Sequence, residues 1–155
     1  MKILPLDHEI LNRPCNKVEK FDDSLASTLD AMASAMTKVS GKGLSANQIG
    51  VSLRMFVMEK DGEVMEFINP VFTSQGPKRI RLPEGCLSLP GVFVQNDKRY
   101  ATVSIRYQDR NGEERKDTFE KLDAVCVQHE MEHLDGINFT STLNRKEKRR
   151  LKIDL

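Results

Sequence analysis

Two of the three histidines in this 155-residue chain lie in the stretch QHEMEHLDG, residues 128 to 136. His129 and His133 are four positions apart, and Glu130 directly follows the first of them. Because residues four apart lie on one face of a helix, both imidazoles could reach a common point. Two such imidazoles form half of a tetrahedral metal site, and the neighbouring carboxylate could act on a water molecule without binding the metal. The pattern therefore predicts metal-assisted hydrolysis if the chain supplies a further ligand.

Positions downstream of this stretch are poor candidates for that ligand. The extended zinc peptidase pattern HExxHxxGxxH requires a third histidine where this chain has Phe139, which cannot coordinate a metal. Another peptidase arrangement uses a carboxylate on a second helix. Only Glu147 and Asp154 follow, and both lie in a strongly charged tail.

Upstream, the stretch EGCLSLPG at 84 to 91 offers Cys86. Glycine before this cysteine, and Ser-Leu-Pro-Gly after it, predict a point where a strand breaks and the backbone can approach a ligand closely. A thiolate binds Zn²⁺ or Fe²⁺ strongly, so Cys86, His129 and His133 are the predicted metal ligands. Three protein ligands leave one position open, which is typical of a catalytic site.

Two helices are predicted from apolar spacing. Residues 24 to 38 form an amphipathic helix with N-capping chemistry at Asp22 to Ser24, and Gly41 and Gly43 end it. The second helix runs from about 120 to 134 and carries both histidines of the HExxH motif on a face that points into the core.

Between these helices, the pattern of residues 54 to 119 predicts a series of short strands. The pairs Asp61-Gly62 and Asn111-Gly112 predict hairpin turns, and further strands are expected at 78–82, 92–95 and 102–108. This order predicts an α+β fold with antiparallel or mixed strands around a central HExxH helix. No repeat or linker divides the chain, so we expect one catalytic domain over 1–155.

The amino-acid composition limits the partners and the cellular compartment that can be expected for this protein. A net charge of +1 gives no reason to expect a nucleic-acid partner, and no apolar run reaches the ~20 residues of a membrane span. Three widely spaced cysteines do not form a disulfide framework, and Pro5 and Asp7 interrupt the amino terminus too early for a signal peptide. We therefore expect a cytoplasmic protein, and a monomer.

Three motifs together resemble one known family. GKGLSANQIG at 41–50, EGCLS at 84–88 and QHEMEHLDG at 128–136 are similar, in order and spacing, to the motifs of the peptide deformylase family. The lead-in ILPLDHEILNRPCNKVEKF also resembles the amino-terminal segment of that family, so the likeness covers nearly the whole chain.

The resemblance implies an activity and a role for each motif. It implies removal of the formyl group from N-formylmethionyl peptides, including ribosome-associated nascent chains. Glu130 would be general base and then acid, while Gln48 and the backbone N–H of Leu87 would bind the oxyanion. Gly43 would pair with the extended peptide through its backbone. The resemblance also implies Fe²⁺ as the ion, with Zn²⁺, Ni²⁺ or Co²⁺ as substitutes; the ligand types themselves suit both Fe²⁺ and Zn²⁺.

The methionine side chain of such a substrate needs an apolar pocket beside the metal. Leu122, Val125 and Cys126 precede His129 on the same predicted helix, and Leu82 and Phe93 lie near Cys86 in sequence. The same helix residues also fit an ordinary core, and the two roles do not exclude each other.

The chain departs from the family pattern at three motif positions. Lys42 stands where the family usually has an apolar residue, Ser45 where it has alanine, and Glu132 where it has aspartate. None of these changes removes a ligand or the general base, but Lys42 alters the polarity expected beside the pocket. The chain is also about one helix shorter than many bacterial members, as some phage-encoded forms are.

Two other functions remain open at this point. A zinc peptidase would use the same HExxH motif, although Phe139 and the acidic residues of the tail disfavour it. A non-catalytic, metal-stabilised binding module would need the ligands alone, and Glu130 would then have no role.

Overall fold

The computed structural model describes residues 2–153. In chain order its elements are α1 (Asp23–Lys38), β1 (Gly43–Ser45), β2 (Met55–Lys60), β3 (Glu63–Gln75), β4 (Pro83–Cys86), β5 (Leu89–Gln95), β6 (Thr102–Gln108), β7 (Glu114–Glu120), α2 (Lys121–Leu134) and α3 (Arg145–Arg150). Short 3₁₀ helices cover Glu9–Asn12 and Ala46–Ile49.

The strands form two antiparallel sheets. Five of them pair in the order β1-β2-β3-β6-β7, and β4 and β5 form a separate ribbon. Asp61 and Gly62 connect β2 to β3 with φ of 52° and 82°, which is the positive-φ pair that a two-residue hairpin turn needs. The second predicted hairpin joins β6 to β7 around Asn111 and Gly112. The α+β class and the antiparallel sheets are therefore confirmed.

Strand β2 is buried on both faces because a helix covers each side of the sheet. Phe56 and Met58 point into a cluster with Ala124, Val127 and Met131 of α2. Met55 and Val57, which alternate with them, pack in a second cluster with α1, whose buried residues are Leu25, Leu29, Met32, Ala35 and Met36. Alternating side chains along one strand thus serve two separate cores.

Helix α2 is buried almost all round. Every residue from Ala124 to Met131 is buried, and so are His133 and Leu134. On one side of α2, its apolar residues share a cluster with strands of the large sheet. A third apolar cluster contains Leu6, Cys86, Val94 and Phe139. A helix enclosed in this way holds its side chains firmly, including those of its polar residues.

One predicted strand is absent, while the exposed tail is helical as its charged sequence leads one to expect. Residues 78–82 do not form a regular strand, since only Arg79 pairs there, in an isolated bridge to Tyr100. The charged tail contains the short helix α3, which has no buried residues. No helix in the described part of the chain combines the length and apolar character needed to cross a membrane.

Candidate active site

Three side chains converge where the end of β4 meets α2. Cys86 is the last residue of β4, and His129 and His133 lie on successive turns of α2. One potential ligand atom from each lies within 4.8 Å of the other two. The Cys86 Sγ atom is 3.3 Å from His133 Nε2, and the imidazole centroids are 4.9 Å apart. The predicted ligand residues are therefore close enough to share one ion.

The surroundings of the two imidazoles fit a cation. His129 Nδ1 lies 3.1 Å from Glu84 Oε1, an arrangement that leaves Nε2 as the coordinating atom. Burial lowers the pKa of His129, but its hydrogen bonds to Cys86 and Glu84 outweigh burial and raise it well above the ordinary value. Burial, together with the positive charges of His129 and Arg99, holds the pKa of His133 well below its usual range. The anionic groups around His129 thus favour positive charge, and His133 stays neutral, the form that binds metals.

Glu130 is a buried carboxylate with an unused oxygen. Its Oε1 atom has no hydrogen-bond partner among residues 2–153. Burial raises the pKa of Glu130 to about 7. The positive charge of His129 lowers this pKa and the negative charge of Glu84 raises it, so His129 offsets the effect of burial only in part. A carboxyl group with such a pKa can both accept and release a proton near neutral pH.

Hydrogen bonds fix the orientation of the Gln48 amide. Gln48 lies in the 3₁₀ helix Ala46–Ile49, and its Oε1 atom accepts a hydrogen bond of 2.9 Å from the Ser45 backbone N–H. Its Nε2 atom donates to Ser88 Oγ at 2.9 Å and lies 3.6 Å from Cys86 Sγ. The donor end of the amide therefore faces the site.

Ser45 and Asn47 strengthen this arrangement. The Ser45 hydroxyl lies 3.0 Å from Gln48 Oε1 and 2.7 Å from Asn47 Oδ1. Asn47 in turn donates to the His133 carbonyl oxygen at 2.8 Å. Serine in place of the usual alanine at position 45 thus adds a hydrogen-bond partner for Gln48. The Asn47 hydrogen bond connects the 3₁₀ helix to α2.

An ion-pair network that no sequence pattern predicts lies behind His129. Arg99 is buried and bonds to Glu84 through two nitrogens and to Glu132 at 2.7 Å. Burial opposes ionisation of Glu84, but hydrogen bonds from His129 and Arg99 outweigh it and hold the Glu84 pKa below its ordinary value. Glu132, which stands where the family motif usually has aspartate, therefore forms an ion pair with the buried Arg99. The acidic residue beside the Gly-Cys pair in EGCLS was the available signal for Glu84.

A cavity of about 600 Å³ opens beside these residues. Its lining includes Gly43, Gln48, Cys86, Leu87, Phe93, Leu122, Val125, Cys126, His129 and Glu130. Leu82 precedes β4 and is not among the described residues of this lining, which begins in that strand at Pro83. The other predicted substrate-binding residues lie together around one opening.

Gly43 permits a close approach between β1 and α2. A Cβ atom at this position would lie 2.7 Å from Cys126 Sγ and 2.7 Å from Glu130 Oε2. Such distances are far inside van der Waals contact, so a side chain fits here only if the Cys126 and Glu130 side chains move. The glycine therefore brings a strand edge directly against the carboxylate.

Lys42 extends past the mouth of the cavity and is paired. Its Nζ atom lies 2.6 Å from Asp123 Oδ1 and donates to the Glu59 carbonyl oxygen at 2.6 Å. Lys60 approaches the other oxygen of Asp123 at 2.9 Å. Burial disfavours the charge on Lys42, but the Asp123 carboxylate outweighs it and raises the lysine pKa. The aliphatic part of Lys42 can thus line the cavity while its charge is neutralised outside.

Known proteins resemble this chain in sequence and in fold. The family model described as polypeptide deformylase matches residues 1–149. A peptide deformylase-like protein of Agrobacterium fabrum is 39% identical over 150 residues, covering 96% of this chain and 91% of its own length. A peptide deformylase of Zymomonas mobilis is 38% identical over 154 residues, covering 94% of this chain and 86% of its own. The crystal structure of a peptide deformylase from Legionella pneumophila superposes with a TM-score of 0.92 at 35% identity, over 97% of this chain and 90% of that one.

Proposed function

Because this chain belongs to the peptide deformylase family, we propose that it removes the formyl group from N-formylmethionyl peptides of nascent proteins. The products would be formate and a peptide with a free amino terminus. The family membership rests on the match over residues 1–149. The geometry of the site supports a role for each of several individual residues.

One observation supports this proposal above the others. Glu130 is a buried carboxylate whose Oε1 atom lacks a partner among the described residues, and it lines a cavity beside Cys86 and His129. Burying an unpaired polar atom is costly unless a ligand or reactant uses it. A structural metal site would gain nothing from such a group, so we assign it to catalysis.

We propose that Cys86, His129 and His133 hold one divalent ion, Fe²⁺ or Zn²⁺, with Ni²⁺ or Co²⁺ as substitutes. One thiolate and two imidazoles suit both iron and zinc. When bound, such an ion supplies Lewis-acid chemistry, acidifying a water molecule and polarising a carbonyl group. Glu84 would fix the ring of His129 from behind, as outer-shell carboxylates do in metal sites.

Glu130 would move the proton during hydrolysis. Its carboxylate accepts a proton from the attacking water and then delivers it to the departing amide nitrogen. The Gln48 amide and the Leu87 backbone N–H would donate to the formyl oxygen as negative charge develops there, at about 3 kcal/mol per donor in comparable sites. Gly43 would hold the extended peptide through its backbone, and the methionine side chain would lie against Val125 and Cys126.

Phe139 argues against a peptidase of the extended zinc type. Its ring occupies the position of the third histidine, is buried, and lies 5.4 Å from the His129 ring between centroids. It therefore fills the side of His129 with apolar atoms. We also propose a monomer that acts in the cytoplasm on nascent chains; the free, buried cysteines Cys15, Cys86 and Cys126 support a reducing compartment.

The test is an assay of the metal-loaded protein with formyl-Met-Ala-Ser, in which formate and free amine are both measured. Equal amounts of both products would support deformylation. Cleavage of an unblocked peptide would support a peptidase, and no product from either substrate would support a binding module. Glu130→Gln should keep the metal and lower kcat by about 100-fold or more, because the proton carrier is lost. Glu63→Gln, an exposed residue of the β2–β3 hairpin, is the matched control and should behave as the unaltered protein.

A further inference from the structure

We propose that Asn47 is a positioning residue that couples the Gln48 amide to the last turn of α2, the turn that carries His133. This inference rests on the proposed function, because it gives Asn47 a task in the same site. Asn47 is fully buried and lies outside the lining of the cavity, so it acts through its neighbours and not on the substrate.

The two histidines of the site are supported in different ways. His129 Nδ1 lies 3.1 Å from Glu84 Oε1, whereas His133 Nδ1 is buried and has no hydrogen-bond partner among residues 2–153. A metal-binding histidine usually donates its second ring N–H to an outer group, and that bond fixes the ring. Because His133 lacks this support, the position of its ring depends on how firmly its backbone is held.

The backbone of His133 lies at the end of a helix. Helix α2 stops at Leu134, and the last four carbonyl groups of a helix have no partner in the i+4 position within it. The Asn47 side chain supplies a partner, because its Nδ2 atom donates to the His133 carbonyl oxygen at 2.8 Å. Arg54 donates in the same way to the Leu134 carbonyl oxygen at 3.1 Å. Side chains from other elements thus cap the turn that carries the proposed ligand.

The oxygen end of the Asn47 amide leads to Gln48. The Ser45 hydroxyl lies 2.7 Å from Asn47 Oδ1 and 3.0 Å from Gln48 Oε1, so it bridges the two amides. All three side chains are at most 1% exposed, and polar groups shielded from water in this way hold one another firmly. A continuous chain of contacts therefore joins the His133 carbonyl oxygen to the Gln48 amide.

The two groups that Asn47 connects lie on either side of one sulfur atom. Gln48 Nε2 is 3.6 Å from Cys86 Sγ, and His133 Nε2 is 3.3 Å from the same atom. Catalytic rates are sensitive to such spacings, since a misplacement of about 1 Å can cost about 100-fold. A connection that keeps both groups in place therefore affects the proposed reaction directly.

Hydrogen exchange of the Zn²⁺-loaded protein tests the helix end without reference to activity. The backbone N–H groups of residues 135–137 bond to the last carbonyl groups of α2. Asn47→Ala removes the donor to His133, so these amides should exchange about threefold to tenfold faster, and Zn²⁺ should pass to a chelator faster by a similar factor. Asn69→Ala is the control, because Asn69 also makes three side-chain hydrogen bonds but lies in β3, and it should change neither rate.

Kinetics tests the connection to Gln48. Ser45→Ala keeps the bond from Asn47 to α2 but removes the bridge to Gln48, so kcat on formyl-Met-Ala-Ser should fall about threefold to tenfold. Exchange at residues 135–137 should stay unchanged in this variant. In the Gln48→Leu background, Ser45→Ala should cause no further loss of kcat, because the amide through which it acts is gone. A merely structural role of Ser45 would lower kcat by the same factor in both backgrounds.

The outcomes separate this inference from the proposed function. If no formyl peptide is hydrolysed but Asn47→Ala still speeds exchange and Zn²⁺ release, the proposed function fails and the hold of Asn47 on α2 stands. Unchanged exchange in Asn47→Ala would overturn the inference, and so would an equal effect of Asn69→Ala or additive losses of Ser45→Ala and Gln48→Leu. Asn47→Ser, whose shorter side chain does not reach the His133 carbonyl oxygen, replaces Asn47→Ala if that variant fails to fold and should show the same changes.

Discussion

Arg99 forms a bidentate ion pair with Glu84 in the protein interior. Its Nε atom lies 2.7 Å from Oε2 and its Nη2 atom 2.8 Å from Oε1, with both side chains at most 4% exposed. Glu84 also contacts His129, a proposed metal ligand. By holding Glu84 in place, Arg99 therefore helps to orient the imidazole of His129. The same guanidinium reaches Glu132, so one buried cation serves two carboxylates.

Replacing this arginine should destabilise the protein strongly. Arg99→Met leaves Glu84 buried without its counter-charge, and loss of one partner of a buried pair costs about 3–5 kcal/mol. Urea unfolding of both proteins measures the change in free energy. Arg79→Met is the control, since Arg79 is exposed and stacks on Tyr100, and it should cost less than about 1 kcal/mol. Equal effects of the two substitutions would contradict the role given to Arg99.

Cys86→Ser should lower the metal content of the purified protein. A neutral hydroxyl is a much weaker ligand than a thiolate, so the remaining imidazoles would hold the ion poorly. Elemental analysis gives the metal content per chain. Cys15→Ser is a suitable comparison because Cys15 is also buried but packs elsewhere, near the carboxyl end of α2. Full occupancy in Cys86→Ser would rule out the ligand assignment.

Gln48→Leu should lower kcat by roughly 100-fold with a smaller change in KM. The amide donor is expected to gain strength only as the formyl oxygen becomes negative, and leucine keeps the size without the donor. Steady-state kinetics on formyl-Met-Ala-Ser separates the two constants, and metal content should stay normal. Gln75→Leu at the exposed end of β3 controls for loss of an amide. A rise in KM alone would mean that Gln48 only holds the substrate.

Gly43→Ala should reduce both stability and activity. The added methyl group would collide with Cys126 Sγ and Glu130 Oε2, and β1 cannot shift freely because Gly43 pairs with Met58. Overpacking of this kind costs typically about 1–3 kcal/mol. The double variant with Cys126→Ala should regain stability, since it removes one collision, but should stay poorly active because Glu130 is still displaced. Recovery of both properties together would show that the effect is ordinary packing.

Local sequence signals predicted the features that depend on neighbouring residues. Asp61 and Gly62 determine a turn by their own backbone preferences, and α1 follows from its capping residue and its apolar spacing. His129, Glu130 and His133 were recognisable because helix geometry alone brings them together.

Features that depend on distant partners were missed or misplaced. Arg99 lies 15 residues from Glu84 and 33 from Glu132, and no periodic pattern marks such a pair. The apolar alternation of residues 78–82 suggested a strand, but only Arg79 forms a bridge there, so the segment lacks a continuous partner. Leu82 is predicted near the pocket from its sequence proximity to Cys86; it immediately precedes β4, whose four residues all line the cavity, and its role stays a prediction.

The amino-terminal lead-in carries a consequence for the order of synthesis. Leu4 donates its backbone N–H to the Gln48 carbonyl oxygen at 2.7 Å, and Leu6 donates to that of Ser88 at 3.0 Å. During synthesis Leu4 and Leu6 therefore emerge before their partners Gln48 and Ser88, and the proposed site is complete only after His133 has been added. Contacts so distant in sequence slow folding, because a long loop must be closed before they form. The proposed site therefore cannot act before the helix that carries both histidines has been synthesised.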